Sequence, residues 1–205
     1  MMVSAMSAEF GKDDLPYPYN EVQPVLPFNN HGWYNNRSYI EKLVEEVNPT
    51  IVVEVGSWIG LSTRHIASIL KQPNAKLYAV DHWLGSAEHQ IGQFAYMPFL
   101  DKLYEQFLSN IIRANLTHIV VPMRMSSLDA VKIFPATPDL IYIDAGHDYE
   151  SVYKDLLAWY PLVRGHGVLC GDDWWWDSVR KAVEDFARDN SLKIFAENNF
   201  WRLIE

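Results

Sequence analysis

Apolar residues change their period several times along the chain, and each change marks an element. From Ser38, the positions Ile40, Leu43, Val44 and Val47 follow helical spacing until Asn48-Pro49 stops the helix. Ile51 to Val55 is then a short β-branched run, as a strand buried on both faces requires. Leu61 to Lys71 returns to helical spacing, and Lys76 to Val80 predicts the next strand. After a long connection through Asp81 and Gly92, residues Leu100, Leu103, Tyr104, Phe107, Leu108, Ile111 and Ile112 line one face of an amphipathic helix. The alternation continues with strand Ile119 to Met123, helix Leu128 to Phe134, strand Leu140 to Ile143, helix Tyr149 to Tyr160, strand Val168 to Cys170 and helix Asp177 to Arg188. Leu192 to Ala196 and Phe200 to Ile204, joined by Glu197-Asn198-Asn199, predict a closing antiparallel hairpin. Such alternation specifies a doubly wound α/β sheet with helices on both faces. Ahead of it, Pro16, Pro18, Pro24 and Pro27 among Asn, Asp and aromatic residues predict an irregular arm over 1–36, leaving one domain over 37–205.

Composition narrows the classes of function. With 17 basic and 26 acidic residues the net charge is −9, and no basic run is present to neutralise phosphates, so nucleic acid is excluded as a general partner. No stretch reaches the roughly 18 continuous apolar residues of a membrane span. The single Cys170 allows no internal disulfide, and a reducing, cytoplasmic compartment is the expectation. Met1 to Phe10 lacks the charged and apolar regions of a secretory signal and reads as an excised boundary. Nothing in the pattern specifies an oligomeric state.

Three segments carry candidate chemistry. Glu54-Val55-Gly56-Ser57-Trp58-Ile59-Gly60 lies where the first strand turns into a helix, the place where open α/β sheets take nucleotide-like ligands, and glycine there lets backbone approach a ligand. Trp58 occupies the position where a dinucleotide fingerprint needs glycine, which counts against NAD or FAD. Asp81, at the end of the second strand, is placed to accept ribose hydroxyls, with His82 beside it and Trp83 or Ser127 bordering an adenine. Asp144-Ala145-Gly146-His147 and Gly171-Asp172-Asp173-Trp174 follow the fourth and fifth strands. If those strands are neighbours, Asp144, Asp172 and Asp173 converge, and three carboxylates repel unless a hard cation such as Mg²⁺ or Mn²⁺ neutralises them. His147, near Asp144, then suits the general base, its ordinary pKa being about 6.5. Alternatives are Asp172 as a helix cap and His147 as a hydrogen-bonded loop residue. Trp174 and Trp175, in a run with Trp176, are candidates to wall an acceptor pocket, and His31 is a further candidate on the arm. Cys170, inside a strand, reads as core packing.

Taken in order, Gly32-Trp33, the Val53 to Gly60 turn, Arg64-His65-Ile66-Ala67, Val80 to Ser86, Leu140 to Glu150 and Gly167 to Trp174 resemble the small class I methyltransferases labelled methyltransferase domain 24. The resemblance implies a Rossmann-like seven-stranded sheet with the last strand antiparallel, S-adenosylmethionine as donor, and O-methylation of a sugar, glycan or other small polar molecule. Related sugar O-methyltransferases and the cephalosporin-hydroxylase-like branch imply a metal on Asp144, Asp172 and Asp173; Gly146 stands where relatives often carry an acidic residue. Two other classes stay open at this point: a metal-dependent hydrolase using the Asp and His cluster, and a non-catalytic module that binds S-adenosylmethionine.

Overall fold

The computed structural model describes residues 14–86, 89–93 and 96–205. Its elements run α1 Arg37–Val47, β1 Ile51–Val55, α2 Leu61–Ile69, β2 Lys76–Asp81, α3 Leu103–Arg113, β3 Val120–Arg124, α4 Ser127–Ile133, β4 Leu140–Ile143, α5 Tyr149–Trp159, β5 Val168–Gly171, α6 Asp177–Asp189, β6 Lys193–Glu197 and β7 Phe200–Ile204. The seven strands lie in the order β3-β2-β1-β4-β5-β7-β6, parallel except for β7, which is antiparallel to both its neighbours. This is the doubly wound α/β sheet that strand-helix alternation predicts, with the seven strands and antiparallel last strand that the family resemblance implies.

The alternation of side chains along each strand explains the two layers of helices. Val52, Leu77, Ala79, Tyr142 and Cys170 point into one core with α1, α2 and α3, while Val53, Val55, Ile141, Ile143 and Leu169 point into the other with α5 and α6. Each fully buried Val, Leu or Ile contributes about 1.5–3 kcal/mol, so both faces of the central strands must be covered. Local signals set the helix starts: Ser126 accepts from the Asp129 amide ahead of α4, and Asp148 from the Ser151 amide ahead of α5. The expected amphipathic helix from Leu100 opens as a single 3₁₀ turn, Leu100–Lys102, before α3.

Residues 1–13 of the expected arm lie outside the described residues. The remainder is irregular in backbone but tightly docked. Tyr19 is buried and donates its hydroxyl to the Val120 carbonyl at 2.8 Å. Leu26 N–H donates to Ser109 at 2.9 Å, and Asn29 exchanges hydrogen bonds with the Asn110 side chain at 3.0 and 2.8 Å. Beyond the 3₁₀ turn Tyr19–Glu21, side-chain amides and hydroxyls of α3 thus satisfy backbone groups at Leu26 and Asn29 that no helix or strand pairs.

Strand register produces the arrangement on which the site rests. Val55 pairs with Val80 on one side and Ile143 on the other, and Ile143 pairs with Gly171. The ladder continues one step past the strands: Gly56 N–H donates to Val80 at 2.9 Å, Asp144 N–H to Val55 at 2.8 Å and Asp172 N–H to Ile143 at 3.0 Å. Asp81, Gly56, Asp144 and Asp172 therefore stand side by side at four adjacent strand ends. Gly56 has φ +92°, and a Cβ there would sit 1.9 Å from the Asp144 carbonyl oxygen. Its missing side chain makes room for the β4 loop, where a ligand-approach role is the expectation from sequence. Gly56→Ala should destabilise the fold by at least about 3 kcal/mol in chemical denaturation; a loss under about 1 kcal/mol would contradict this contact.

Candidate functional site

The turn after β1 is held against Asp81. Ser57 and Trp58 N–H groups both donate to Asp81 Oδ2, at 3.1 and 2.9 Å, and Trp83 N–H donates to Oδ1 at 2.7 Å. Burial raises the Asp81 carboxyl above its ordinary range, and these amides oppose that rise. A carboxylate offers about four lone-pair sites, so room remains for one further donor. Trp58 adopts a left-handed backbone, φ +49°, which this clamp and the Trp83 Nε1–H donation to the Trp58 carbonyl at 2.6 Å sustain. His82, with its side chain half exposed, accepts from Leu84 N–H at 3.0 Å and lies 3.7 Å from Asp81.

Beneath this turn Glu54 is fully buried. Ser57 donates to its Oε2 at 2.7 Å and Thr63 donates to the same oxygen, while Oε1 has no protein partner. Burial raises its carboxyl, and the hydroxyls of Ser62, Thr63 and Ser57 counteract the rise. An unpaired buried carboxylate oxygen is costly, which marks it as a place where a ligand's donor would be stabilising.

The acid loops lie one and two strands away. Burial, then Asp172 and Asp173, push the Asp144 carboxyl well above its usual range. Asp172 is pushed up to about 6 by burial and by Asp173. It accepts from Tyr142 hydroxyl at 3.1 Å, Asp173 N–H at 2.7 Å and Asn199 Nδ2 at 2.5 Å. Asp173, itself left-handed at φ +65°, sets its Oδ2 3.0 Å from His147 Nε2. The His147 ring stacks on Trp176 with centroids 4.8 Å apart. The structure thus brings Asp144, Asp172, Asp173 and His147 to one end of the sheet as neighbours. Among the described residues, however, no group of three or more His, Cys, Asp or Glu side chains is arranged to hold a metal ion. Two of the three carboxylates expected to hold Mg²⁺ or Mn²⁺ already have protein partners, Tyr142 and Asn199 on Asp172 and His147 on Asp173.

The arm closes the near side. His31 Nδ1 accepts from Trp58 Nε1 at 3.2 Å, and its ring packs edge-on against Trp33 and Phe99. Trp33 and His89 lie parallel, 6.1 Å apart, and Trp33 is 61% exposed. Tyr34 hydrogen-bonds His65 at 2.8 Å, and Asn36 donates to Tyr142 hydroxyl at 3.4 Å.

Other expected positions fall elsewhere. Trp83 is buried in the core against Tyr104 and Phe107, with no face left for an adenine, because its indole N–H is drawn inward to the Trp58 carbonyl. Ser127 donates to Asp155 at 2.5 Å and accepts from Trp159 Nε1 at 2.8 Å, which commits its hydroxyl to joining α4 and α5. Of the tryptophan run, Trp174 packs against the core, while Trp175 and Trp176 are exposed. Cys170 is buried and its thiol is pushed up by burial, as core packing requires. Sequence reasoning missed Trp58 as the partner of His31, and Tyr142, Asn36 and Asn199 around Asp172; the last three are polar residues whose roles arise only from long-range contact.

A family model described as "Methyltransferase domain" matches residues 53–174, more than half of the chain. The chain belongs to this family and has the α/β fold of a class I methyltransferase. Among solved structures, it is similar to an O-methyltransferase from Bacillus cereus in complex with SAH, at 18% identity and TM-score 0.63, covering 91% of this chain and 90% of that one. It is similar also to cofactor-bound Rv0187 from MTB, at 17% identity and TM-score 0.66, with 94% and 85% covered. The O-methyltransferase TomG from Streptomyces achromogenes, in complex with SAM, matches at 14% identity and TM-score 0.63, with 84% and 80% covered. No helix among the described residues is long and apolar enough to cross a membrane.

The Ser127 contact yields a test of the electrostatics. Asp155 is 6% exposed, and burial pushes its carboxyl from 3.8 up to about 6. The folded chain therefore holds this proton more tightly than the unfolded chain, so the stabilising contribution is full below about pH 4 and is lost as pH rises through about 6. Asp155→Asn keeps the acceptor for Ser127 and should be more stable than the parent at pH 8 by about 3 kcal/mol, the gap closing below pH 4. Denaturation curves of the two proteins that ran parallel from pH 4 to 8 would contradict it.

Proposed function

We propose that the chain transfers a methyl group from S-adenosylmethionine to a hydroxyl of a small uncharged acceptor, a sugar ring, a glycan end or another small polar molecule. The observation that carries this reading is the row of strand ends, in which Asp81 stands on one side of Gly56 and Asp144, with its His147 and Asp173 neighbours, on the other. That row is long enough for a nucleoside at one end and an acceptor at the other. The donor supplies an electrophilic methyl whose leaving group is a neutral thioether. Asp81 would take a ribose hydroxyl on its remaining lone pair.

On the acceptor side, His147 serves as base. Asp173 at its Nε2 fixes the tautomer and stabilises the imidazolium formed when the acceptor hydroxyl gives up its proton. The hydroxyl oxygen forms the new bond to the methyl carbon as the bond to sulfur breaks, and the proton resides on His147. Trp176 keeps the imidazole plane fixed. Exposed Trp33, Trp175 and Trp176 offer flat faces for a sugar or other ring. A net charge of −9 suits an uncharged acceptor better than a polyanion. The match to a methyltransferase domain over residues 53–174 favours this reading over the hydrolase alternative.

The two ends should separate in mutants. Asp81→Ala should weaken S-adenosylmethionine binding about 100-fold by calorimetry. His147→Ala should leave that affinity within about twofold while lowering turnover on methyl glycosides or catechols, followed with labelled donor, by about 100-fold. Full turnover in His147→Ala would remove the base; unchanged donor affinity in Asp81→Ala would remove the donor assignment.

A further inference from the structure

The closing hairpin reaches into the acid loop through one side chain. Asn199, at the turn between β6 and β7, donates its Nδ2 to Asp172 Oδ1 at 2.5 Å and stands 3.4 Å from Asp173 Oδ1. Its backbone carbonyl accepts from Trp174 N–H at 3.1 Å, and its Oδ1 accepts from Trp175 N–H at 3.2 Å. Every polar group of this residue apart from its own N–H is thus spent on four consecutive residues, 172 to 175. The amide orientation is fixed by chemistry, since carboxylates need the donor end and the Trp175 amide needs the acceptor. Two residues on, Trp201 Nε1 donates to the Asp172 carbonyl at 2.7 Å, and its ring fills the space that a Cβ on Gly171 would need. The loop carries a left-handed non-glycine residue, Asp173, and two adjacent carboxylates that repel, so it does not hold this shape by itself.

We infer that Asn199 is a positioning residue of the acceptor half-site: it clamps the loop so that Asp173 meets His147 and Trp176 backs the imidazole. The inference rests on the methyltransferase reading for what the clamp is used for, but not for the clamp itself. A residue needed only to form a β-turn would accept Asp in place of Asn, because the two are nearly the same shape and both favour turns. A clamp that works through an amide donor would not, because Asp sets a third carboxylate against Asp172 and Asp173.

The experiment compares Asn199→Asp, Asn199→Ala and the parent in two measurements. Hydrogen–deuterium exchange of the peptide spanning residues 172–176 reads the clamp without any ligand. Exchange should be at least about 10-fold faster in both variants, with protection of β1 and β4 unchanged as the control for folding. Steady-state transfer of labelled methyl from S-adenosylmethionine to methyl glycosides or catechols reads its use. Turnover should fall about 100-fold in Asn199→Asp, further than in Asn199→Ala, with the KM for S-adenosylmethionine within about twofold of the parent. Unchanged loop exchange in both variants would overturn the clamp. Faster exchange with unchanged turnover would overturn its positioning role, as would Asn199→Asp behaving like the parent. A parent protein that neither binds S-adenosylmethionine nor transfers its methyl would instead overturn the functional reading, with the exchange result still deciding the clamp.

Discussion

The close approach of Gly56 to the Asp144 carbonyl is the constraint from which the rest of the site follows. Parallel strands β1 and β4 share hydrogen bonds to their ends, and the chain must then leave both strands without collision. Only a residue without Cβ, at φ +92°, allows the β1 turn to pass so near the β4 loop. Once that contact exists, Ser57 and Trp58 present their amides to Asp81 on one side, and Asp144 comes to stand beside Asp172 on the other. Strand register sets the spacing of Asp81, Gly56, Asp144 and Asp172, and this one backbone contact lets the β1 and β4 loops share it.

Charge is the second theme. Glu54, Asp81, Asp144 and Asp172 all have carboxyls raised by burial, an arrangement that is unfavourable for the apo fold. Hydrogen bonds offset part of the penalty: three backbone amides at Asp81, hydroxyls at Glu54, and Tyr142, Asn199 and the Asp173 amide at Asp172. A concentration of buried carboxyls in a fold of this family is complementary to a donor whose sulfonium carries positive charge, and the neutral thioether product would be held less well. Local backbone strain at Trp58 and Asp173 falls at the same two loops.

Much of the architecture is legible before any coordinates are seen, because periodicity reports burial. Ile51 to Val55, apart from Glu54, and Leu140 to Ile143 are apolar since both faces are covered, and element limits from pattern agree with the observed ones to within two residues except at α3, which starts three residues late. The Glu54 to Gly60 turn and the acids after β4 and β5 were legible for the same reason, since strand ends can be located. What the pattern lacks is side-chain partnership across the fold. Nothing near Trp83 indicates that its indole turns inward to Trp58, and Ser127 resembles any polar residue at a helix start until Asp155 and Trp159 are seen against it. Likewise the three acids at neighbouring strand ends can be located from pattern, but Tyr142 and Asn199 on Asp172 and His147 on Asp173 cannot. Asn199, a turn residue by composition, is separated by 27 positions from the carboxylate it meets.

The measurement that bears most directly on the account is a crystal structure of the chain with S-adenosylhomocysteine. The ribose is expected at Asp81, the sulfur over Gly56 between Asp81 and Asp144 in the row of strand ends, and an open space between it and His147. A nucleoside bound away from this row, for instance in the cavity beside Tyr160 and Arg202 at another part of the surface, would contradict it.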